Sequence, residues 1–333
     1  MNDIIVIPNA PAIPGLVFRR FRGEADYPCI VDIINAENEA DHIDKHMTLK
    51  DVTINYRHLE NCDTRKDMLF VEVDGQTIGY GRIWWTEQND GARLYELIGH
   101  LHPAWRGQGI GSAVWEAAEA RVREIAAVHP GEKPKFFQVA SEDTDTTRIT
   151  LLEKFGYQPV RYGTFMLRDL SEPFPEAPMP SGLEVRPVEP EHLDPIWQAT
   201  KEAFRDHWGA RDPSDEEYHR MMEDKNCRPD LWAVAWEGDQ VVSVIHNFIN
   251  ADENQAFHRQ RGYTEDICTR REWRKHGIAR SLLVRSMQMF KDMGMTETAL
   301  GVDSQNLSGA FRLYESVGYR KVGQEILFRK PME

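Results

Sequence analysis

Two short stretches of the chain combine glycines with basic side chains in a way suited to holding an anion. Residues 105–114 read WRGQGIGSAV, and residues 273–282 read WRKHGIARSL. Gly107, Gly109 and Gly111 in the first, and Gly277 with Ala279 in the second, leave no bulky side chain where a helix begins, so a ligand can approach the backbone closely. The first amides of a helix have no internal acceptors, and the helix dipole adds positive potential there. A pyrophosphate suits such a turn, and Arg106, Arg274, Lys275 and Arg280 add charge to it. The competing reading is a glycine turn that only packs a helix onto a sheet. A dinucleotide fingerprint would need an early βαβ unit with a later acidic ribose ligand, and an NTP-binding loop would end in G-K-[ST]; neither accompanies these turns. His100 and His102 share one strand face as a possible metal pair, but no third ligand stands at suitable spacing, which favours a structural role.

The elements that must position these turns are themselves duplicated. Arg106 and Arg274 lie 168 positions apart. Leu16–Arg19 and the stretch 183–186 match at an offset of 167, Val73-Asp-Gly and Trp236-Glu-Gly at 163, and LLEKFGY from 151 and LYESVGY from 313 at 162. Asp41-His42 recurs as Asp206-His207. Landmarks in the same order at a nearly constant offset indicate a duplicated domain rather than a solenoid of short repeats. The expected division is 1–170, a proline-rich linker at 171–182 that runs stiff and extended, and 183–333. Each half reads as a strand, helical segments (32–59 or 191–223), a tight hairpin, a further strand, the glycine turn and a helix, then a strand, a short helix and a final strand pair. The helix after the second turn is expected to bury Ile278, Leu282, Met289, Phe290 and Met293, and the first Ile110, Val114, Ala118, Val122 and Ile125. Each half is therefore a mixed α/β unit.

Composition narrows the partners. The chain has 333 residues, room for two domains of about 150 each. A formal net charge of −14 argues against a nucleic-acid backbone as partner and is compatible with a cationic amine. Cys29, Cys62, Cys227 and Cys268 form no C-x-x-C pair, so reduced thiols in a cytoplasm are expected. No apolar run approaches the length of a membrane span, and the first fifteen residues lack the pattern of a secretion signal.

Arg106-x-x-Gly109-x-Gly111 and Arg274-x-x-Gly277-x-Ala279 resemble the acyl-CoA signature, [Q/R]-x-x-G-x-[G/A], of the GNAT acetyltransferase superfamily. The lead-in LHPAW resembles that family's V-x-P-x-x; TRREW follows it less closely, lacking the proline. Residues 302–319 resemble its later motif, N…A…LY…G[F/Y]. The duplicated arrangement looks like the tandem GNAT proteins of the mycothiol synthase type. This resemblance implies two mixed, mostly antiparallel sheets flanked by helices, acetyl-CoA as co-substrate, no metal, and a primary amine as acceptor. It also implies a CoA-binding set in each half: Ile267, Cys268, Thr269, Arg274, Lys275, His276, Gly277, Ile278, Ala279, Arg280 and Asn306 in the second, and Gly99, His100, Leu101, Arg106, Gly107, Gln108, Gly109, Ile110, Gly111 and Ser112 in the first. In the family a backbone amide of the preceding strand, here Leu101 or Thr269, holds the acyl carbonyl.

The resemblance also separates the halves. Tyr314 stands where the family places the tyrosine that protonates the departing thiolate, whereas the first half has Leu152 there and no counterpart of Asn306. Catalysis is thus expected in the second half, with the first a degenerate copy. For the base that takes the amine's proton, the family position falls on Thr264; strand alternation puts Glu265 on one face and Thr264 with Asp266 on the other. Glu265 is the first choice and Asp266 the second; the same count in the first half reaches Glu96. Asp206, His207 and Trp208 fall between the first helices, where the family builds its substrate walls, and are read either as substrate-binding or as a helix end closed by Gly209. The expected protein is an N-acetyltransferase acting on a small-molecule amine, as a monomer or homodimer, with a protein- or antibiotic-modifying enzyme and a non-catalytic CoA sensor as alternatives.

Overall fold

A computed structural model describes residues 3–306 and 309–332, so Leu307 and Ser308 of the later motif lie outside the described residues. The chain divides into two compact units, Met1–Val160 with Ile326–Glu333, and Arg161–Glu325. The expected halves end elsewhere: most of the strand that closes the first half is counted with the second unit, and the last residues of the chain with the first. Among the described residues no helix is long and apolar enough to cross a membrane.

The first unit follows the order β1 (Ile4–Ile5), β2 (Leu16–Arg19), α1 (Tyr27–Ala40), α2 (Leu49–Arg57), β3 (Met68–Val73), β4 (Gln76–Glu87), β5 (Arg93–Leu101), α3 (Ile110–Ala127), β6 (Lys135–Glu142) and α4 (Thr146–Lys154), then the start of β7 (Gln158–Asp169). Strands β1 to β6 lie side by side in chain order, antiparallel except for β5 with β6. Asp74 and Gly75, both at positive φ (49° and 81°), make the two-residue turn of the β3–β4 hairpin, whose twist matches that of the flanking strands.

The second unit repeats this plan: β8 (Glu184–Val185), α5 (Leu193–Phe204), α6 (Asp215–Glu223), β9 (Ala233–Glu237), β10 (Gln240–Phe248), α7 (Ala251–Ala256), β11 (Arg261–Thr269), α8 (Ile278–Asp292), β12 (Glu297–Asp303), α9 (Ala310–Ser316) and β13 (Arg320–Pro331). The order is β7, β12, β11, β10, β9, β8, with only β11 and β12 parallel. One long strand closes each half, β7 or β13, where a strand pair was expected. Residues 171–182 are not a free connector, because Phe174 and Met179 pack on the core of the second unit and Arg168 donates to the carbonyls of Glu172 and Pro173.

Helix α8 lays Ile278, Leu282, Leu283, Met287 and Phe290 against one sheet face, each 2% exposed or less. Such burial contributes roughly 1.5–3 kcal/mol per side chain. Met293, expected on that face, is the helix-ending residue and is 42% exposed. On the other face α5 packs Ile196, Ala199 and Ala203 against Val234, Val244 and Cys268. In the first unit Ile110 and Val114 of α3 pack against Ile7, Phe18 and Ile78, while Val122 joins Tyr95, Phe137 and Leu152.

Candidate active site

Both glycine turns form as the residues dictate. Gly109 and Gly277 sit at φ 87° and 82° as the residues before α3 and α8, a conformation natural to glycine. Gly107 and Lys275, two residues earlier in each copy, are also left-handed (76° and 66°). Ile110 and Ile278 are the buried pegs that fix each helix start. A Cβ built on Gly107 or Gly277 meets nothing within 4 Å, so the backbone there is open to a ligand. The first intrahelical bonds are Ala113 N–H to the Gly109 carbonyl and Ser281 N–H to the Gly277 carbonyl, which leaves the amides of residues 110–112 and 278–280 without an acceptor inside their helices.

The flanking charge differs from expectation. Both signature arginines are turned inward as clasps rather than outward as phosphate ligands. Arg106 donates to both Asp41 carboxylate oxygens at 2.6 Å, and Arg274 donates to Asp206 at 2.9 Å, to the Ala203 carbonyl at 2.9 Å and to the Thr269 carbonyl at 3.0 Å. This explains the recurring Asp-His: its aspartate ties the end of the first helical segment to the signature turn. Asp206 also receives Arg271, and the two guanidiniums, Arg271 first, hold its carboxyl below the usual range. It is thus engaged structurally rather than extended towards a substrate. His207 lies against Phe204, its ring centroid 4.5 Å away, and burial lowers its pKa. Trp208 is 42% exposed with the Arg161 guanidinium 5.1 Å above its ring.

What remains around the second turn is basic and accessible: Lys275 and His276 are exposed, and Arg280, half-buried behind Ala279, donates to Ser316 at 2.9 Å. Around the first, Gln108 folds back onto the Ala104 carbonyl, Lys154 donates to Ser112 at 3.0 Å, and Pro11 of the N-terminal arm lies 3.7 Å from where a Gly109 Cβ would be; Gly111 faces Leu151.

The strand before each turn separates the units more sharply. β5 pairs with β6 only over Arg93–Glu96, and β11 with β12 only over Arg261–Tyr263, so in both units the two parallel strands part before the turn. In the first unit the β4–β5 ladder is regular. At its end the Leu101 amide, expected to hold an acyl carbonyl, donates instead to Glu37 at 2.9 Å. Glu37 is 5% exposed and also meets His100 Nδ1 at 2.6 Å and Arg106 and Arg148 at 3.4 Å. Burial opposes its ionisation, but His100, Arg148 and the Leu101 amide outweigh it and hold the carboxyl at about 2. Arg148 also reaches the Gly99 carbonyl, and of the two histidines His102 accepts from the Ala104 amide while His100 is engaged by Glu37. Glu96 accepts from Gln138 at 2.6 Å.

In the second unit β11 carries a β-bulge. Between the pairs Val244–Cys268 and His246–Glu265, Asp266 and Ile267 face the single Ile245. Asp266 takes φ 47°. The extra residue breaks the alternation expected from the sequence: Thr264 is fully buried, while Glu265 and Asp266 are both exposed. Asp266 accepts from His246 Nδ1 at 3.0 Å, and the His246 ring lies 4.1 Å from that of Trp232. Glu202, the counterpart of Glu37, turns to Arg270 at 2.6 Å and leaves Thr269 alone; the Thr269 hydroxyl meets Ser243. Cys268 is buried, which pushes its thiol up to about 12 and removes it as a thiolate nucleophile; it lies within electrostatic reach of both Asp266 and Tyr314. Tyr314, on α9, is 5% exposed with its ring edge-on to Tyr319 at 6.3 Å, and burial raises its pKa. Leu152 occupies the matching buried place in the first unit. The Asn306 amide donates to the Asp303 carbonyl at 3.1 Å. Sequence reasoning missed Glu37, His246 and the bulge.

In each unit two parallel strands part beside a glycine turn that opens a helix, and comparison with known families assigns this arrangement. Residues 193–319 match the acetyltransferase (GNAT) family and residues 65–159 the acetyltransferase (GNAT) domain, together about two thirds of the chain. The chain belongs to the GNAT superfamily as a tandem member, and is an acyltransferase. More particularly, it is similar to the mycothiol acetyltransferase of Acidothermus cellulolyticus, 26% identical over 274 residues and 79% of both chains. Among solved structures it resembles a GCN5-related N-acetyltransferase from Sphaerobacter thermophilus (TM-score 0.71, 25% identity, 98% of this chain and 97% of that one). It shares its fold with a tandem GNAT protein from the clavulanic acid biosynthesis pathway (TM-score 0.68, 13% identity, 95% and 98% covered).

Proposed function

We propose that the protein moves an acetyl group from acetyl-CoA to the primary amine of a small molecule, and that the second unit does this. The observation that carries the reading is the contrast between the units. The second combines a bulge bearing carboxylates with Tyr314; the first has a regular strand, Leu152, and a Leu101 amide taken by Glu37. The open backbone at Gly277 and the free helix amides beyond it fit the pyrophosphate of CoA, with Lys275, His276 and Arg280 beside it.

The amine arrives protonated and must become neutral. A bulge carboxylate, Glu265 or Asp266, takes an N–H proton while the nitrogen lone pair attacks the thioester carbonyl carbon. The C–S bond then breaks, and the departing sulfur takes the Tyr314 phenol proton, which burial keeps in place at neutral pH. The second proton of the acylated nitrogen passes to the tyrosinate left behind. No acyl-enzyme is needed; holding amine and thioester together supplies much of the acceleration. The amine precursor of mycothiol is the first acceptor to test, because of the relative's name; other amino sugars, amino-sugar antibiotics and lysine peptides follow.

The test is acetyl-CoA calorimetry on the intact chain and on Gly107→Trp and Gly277→Trp, with turnover measured on the same panel. Loss of binding and turnover with Gly277→Trp alone supports the reading. Equal loss from Gly107→Trp gives the first unit a site of its own. Tight binding without turnover of any acceptor favours a CoA sensor.

A further inference from the structure

The acceptor face of the second unit holds a histidine that no motif announces. His246, on β10, is 7% exposed and stacks on Trp232 within the apolar cluster that α5 lays on the sheet. One ring nitrogen, Nδ1, faces Asp266 Oδ2 at 3.0 Å; the other, Nε2, is buried without a partner. A carboxylate only accepts, so Nδ1 carries the proton, and Nε2 is then a bare lone pair against Trp232 rather than an orphaned N–H. A phenylalanine would fill this apolar place without burying an unpartnered nitrogen. What the imidazole adds is one N–H, and that N–H is spent on Asp266.

Asp266 is the residue the bulge turns outward, at a φ seldom adopted by side chains other than glycine, asparagine and aspartate. Bulges beside active sites commonly re-aim one side chain, and non-glycine residues in this backbone region persist where surrounding structure holds them. The first unit lacks both parts of the device: its ladder is regular, and Ile98 stands at the Asp266 register. The carboxylate, its donor and the bulge occur together and only in the unit that carries Tyr314.

We propose that Asp266, rather than Glu265, takes the proton from the acceptor amine, and that His246 is a positioning residue that holds the Asp266 carboxylate towards the parted strands. This rests on the assignment of catalysis to the second unit. The proton leaves the amine nitrogen for the Asp266 oxygen not bonded to His246, and passes to solvent after the acetyl transfer; the Nδ1 proton stays on the ring throughout.

The variants are His246→Phe, which keeps the stack and loses the donor; His246→Asn, which keeps a donor and loses the stack; Asp266→Asn; and Glu265→Gln. Tyr314→Phe is the control on the assignment to the second unit. Each is assayed with acetyl-CoA and whichever amine of the panel turns over, giving kcat and KM separately, with melting curves and acetyl-CoA binding to confirm folding. His246→Phe is expected to lower kcat about 100-fold, as misplacing a reacting group does, with acetyl-CoA binding unchanged, and His246→Asn to recover most of it. Asp266→Asn should cost about 10²–10⁴-fold, and adding His246→Phe to it should cost little more. Glu265→Gln should cost clearly less than Asp266→Asn. Equal loss in His246→Phe and His246→Asn, or a larger loss in Glu265→Gln than in Asp266→Asn, overturns the proposal while leaving the second-unit reading intact. Unaltered turnover in Tyr314→Phe, or no turnover with any amine, overturns both. Independently of activity, side-chain ¹⁵N NMR of the parent protein should show His246 protonated at Nδ1; the opposite tautomer refutes the arrangement.

Discussion

Replacing Glu37 by glutamine tests whether the first unit's carboxylate network stabilises that unit. In the folded chain the Glu37 carboxyl is held at about 2, against an ordinary value of 4.5. Two to three units at 1.36 kcal/mol each give a contribution of about 3 kcal/mol at neutral pH. The size of penalty measured when one partner of a buried ion pair is removed, roughly 3–5 kcal/mol, is similar. The sign follows from the lowered pKa: the stabilisation is complete above the unfolded value, near 4.5, and fades as pH falls towards 2. Glutamine keeps an acceptor for the Leu101 amide but loses the charge facing His100, Arg106 and Arg148. For a unit of this size the melting temperature should fall by about 6–12 °C at pH 7. The difference between parent and variant should shrink steadily below pH 4.5. Scanning calorimetry at a series of pH values measures both. A loss below about 1 kcal/mol, or a gap that widens on acidification, refutes the reasoning, since the network would then not prefer ionised Glu37.

Tyr314→Phe is expected to lower kcat by about 100-fold or more without weakening acetyl-CoA binding, measured by steady-state kinetics beside calorimetry; a change confined to KM would make the phenol a packing group. Gly262→Ala should destabilise the second unit by about 1–3 kcal/mol, because a Cβ there would stand 2.4 Å from Phe290 Cδ1 in the middle of the core; denaturant unfolding reads it. Asp206→Ala frees Arg271 and Arg274 from a half-exposed pairing, so stability should change by less than about 1 kcal/mol. Acetyl-CoA affinity should fall several-fold as the turn loses its clasp, which titration calorimetry would detect.

The duplication, the hairpin turns and the helix-opening glycines were legible because they rest on local chemistry. Left-handed φ at Gly109 and Gly277 and the type I′ pair Asp74-Gly75 depend on the residues themselves. The buried stripe of α8 was legible up to its last turn, where Met293, the residue that ends the helix, is 42% exposed. Glu265 and Asp266 were misplaced on opposite faces because strict alternation assumes an unbroken strand. A signal existed: the offset between the halves rises from 163 at the hairpin to 168 at the signature arginines, so the second half has five more residues there. It gave no position for them, and the structure spends them on α7 and the bulge at Asp266.

The sequence by itself determined the family, the repeat, the glycine turns and the asymmetry between Tyr314 and Leu152, all properties of residue type and order along the chain. Only the tertiary structure decided where the charges go. Arg106 and Arg274 read as phosphate ligands until Asp41 and Asp206, some 65 residues earlier, are brought against them, and Leu101 reads as a free amide until Glu37 closes on it. A side chain's charge is written in the sequence, but its partner is chosen by folding, since the nearest opposite charge in space is seldom the nearest along the chain. That is also why His246 became visible only when β10 and the bulged β11 lay side by side.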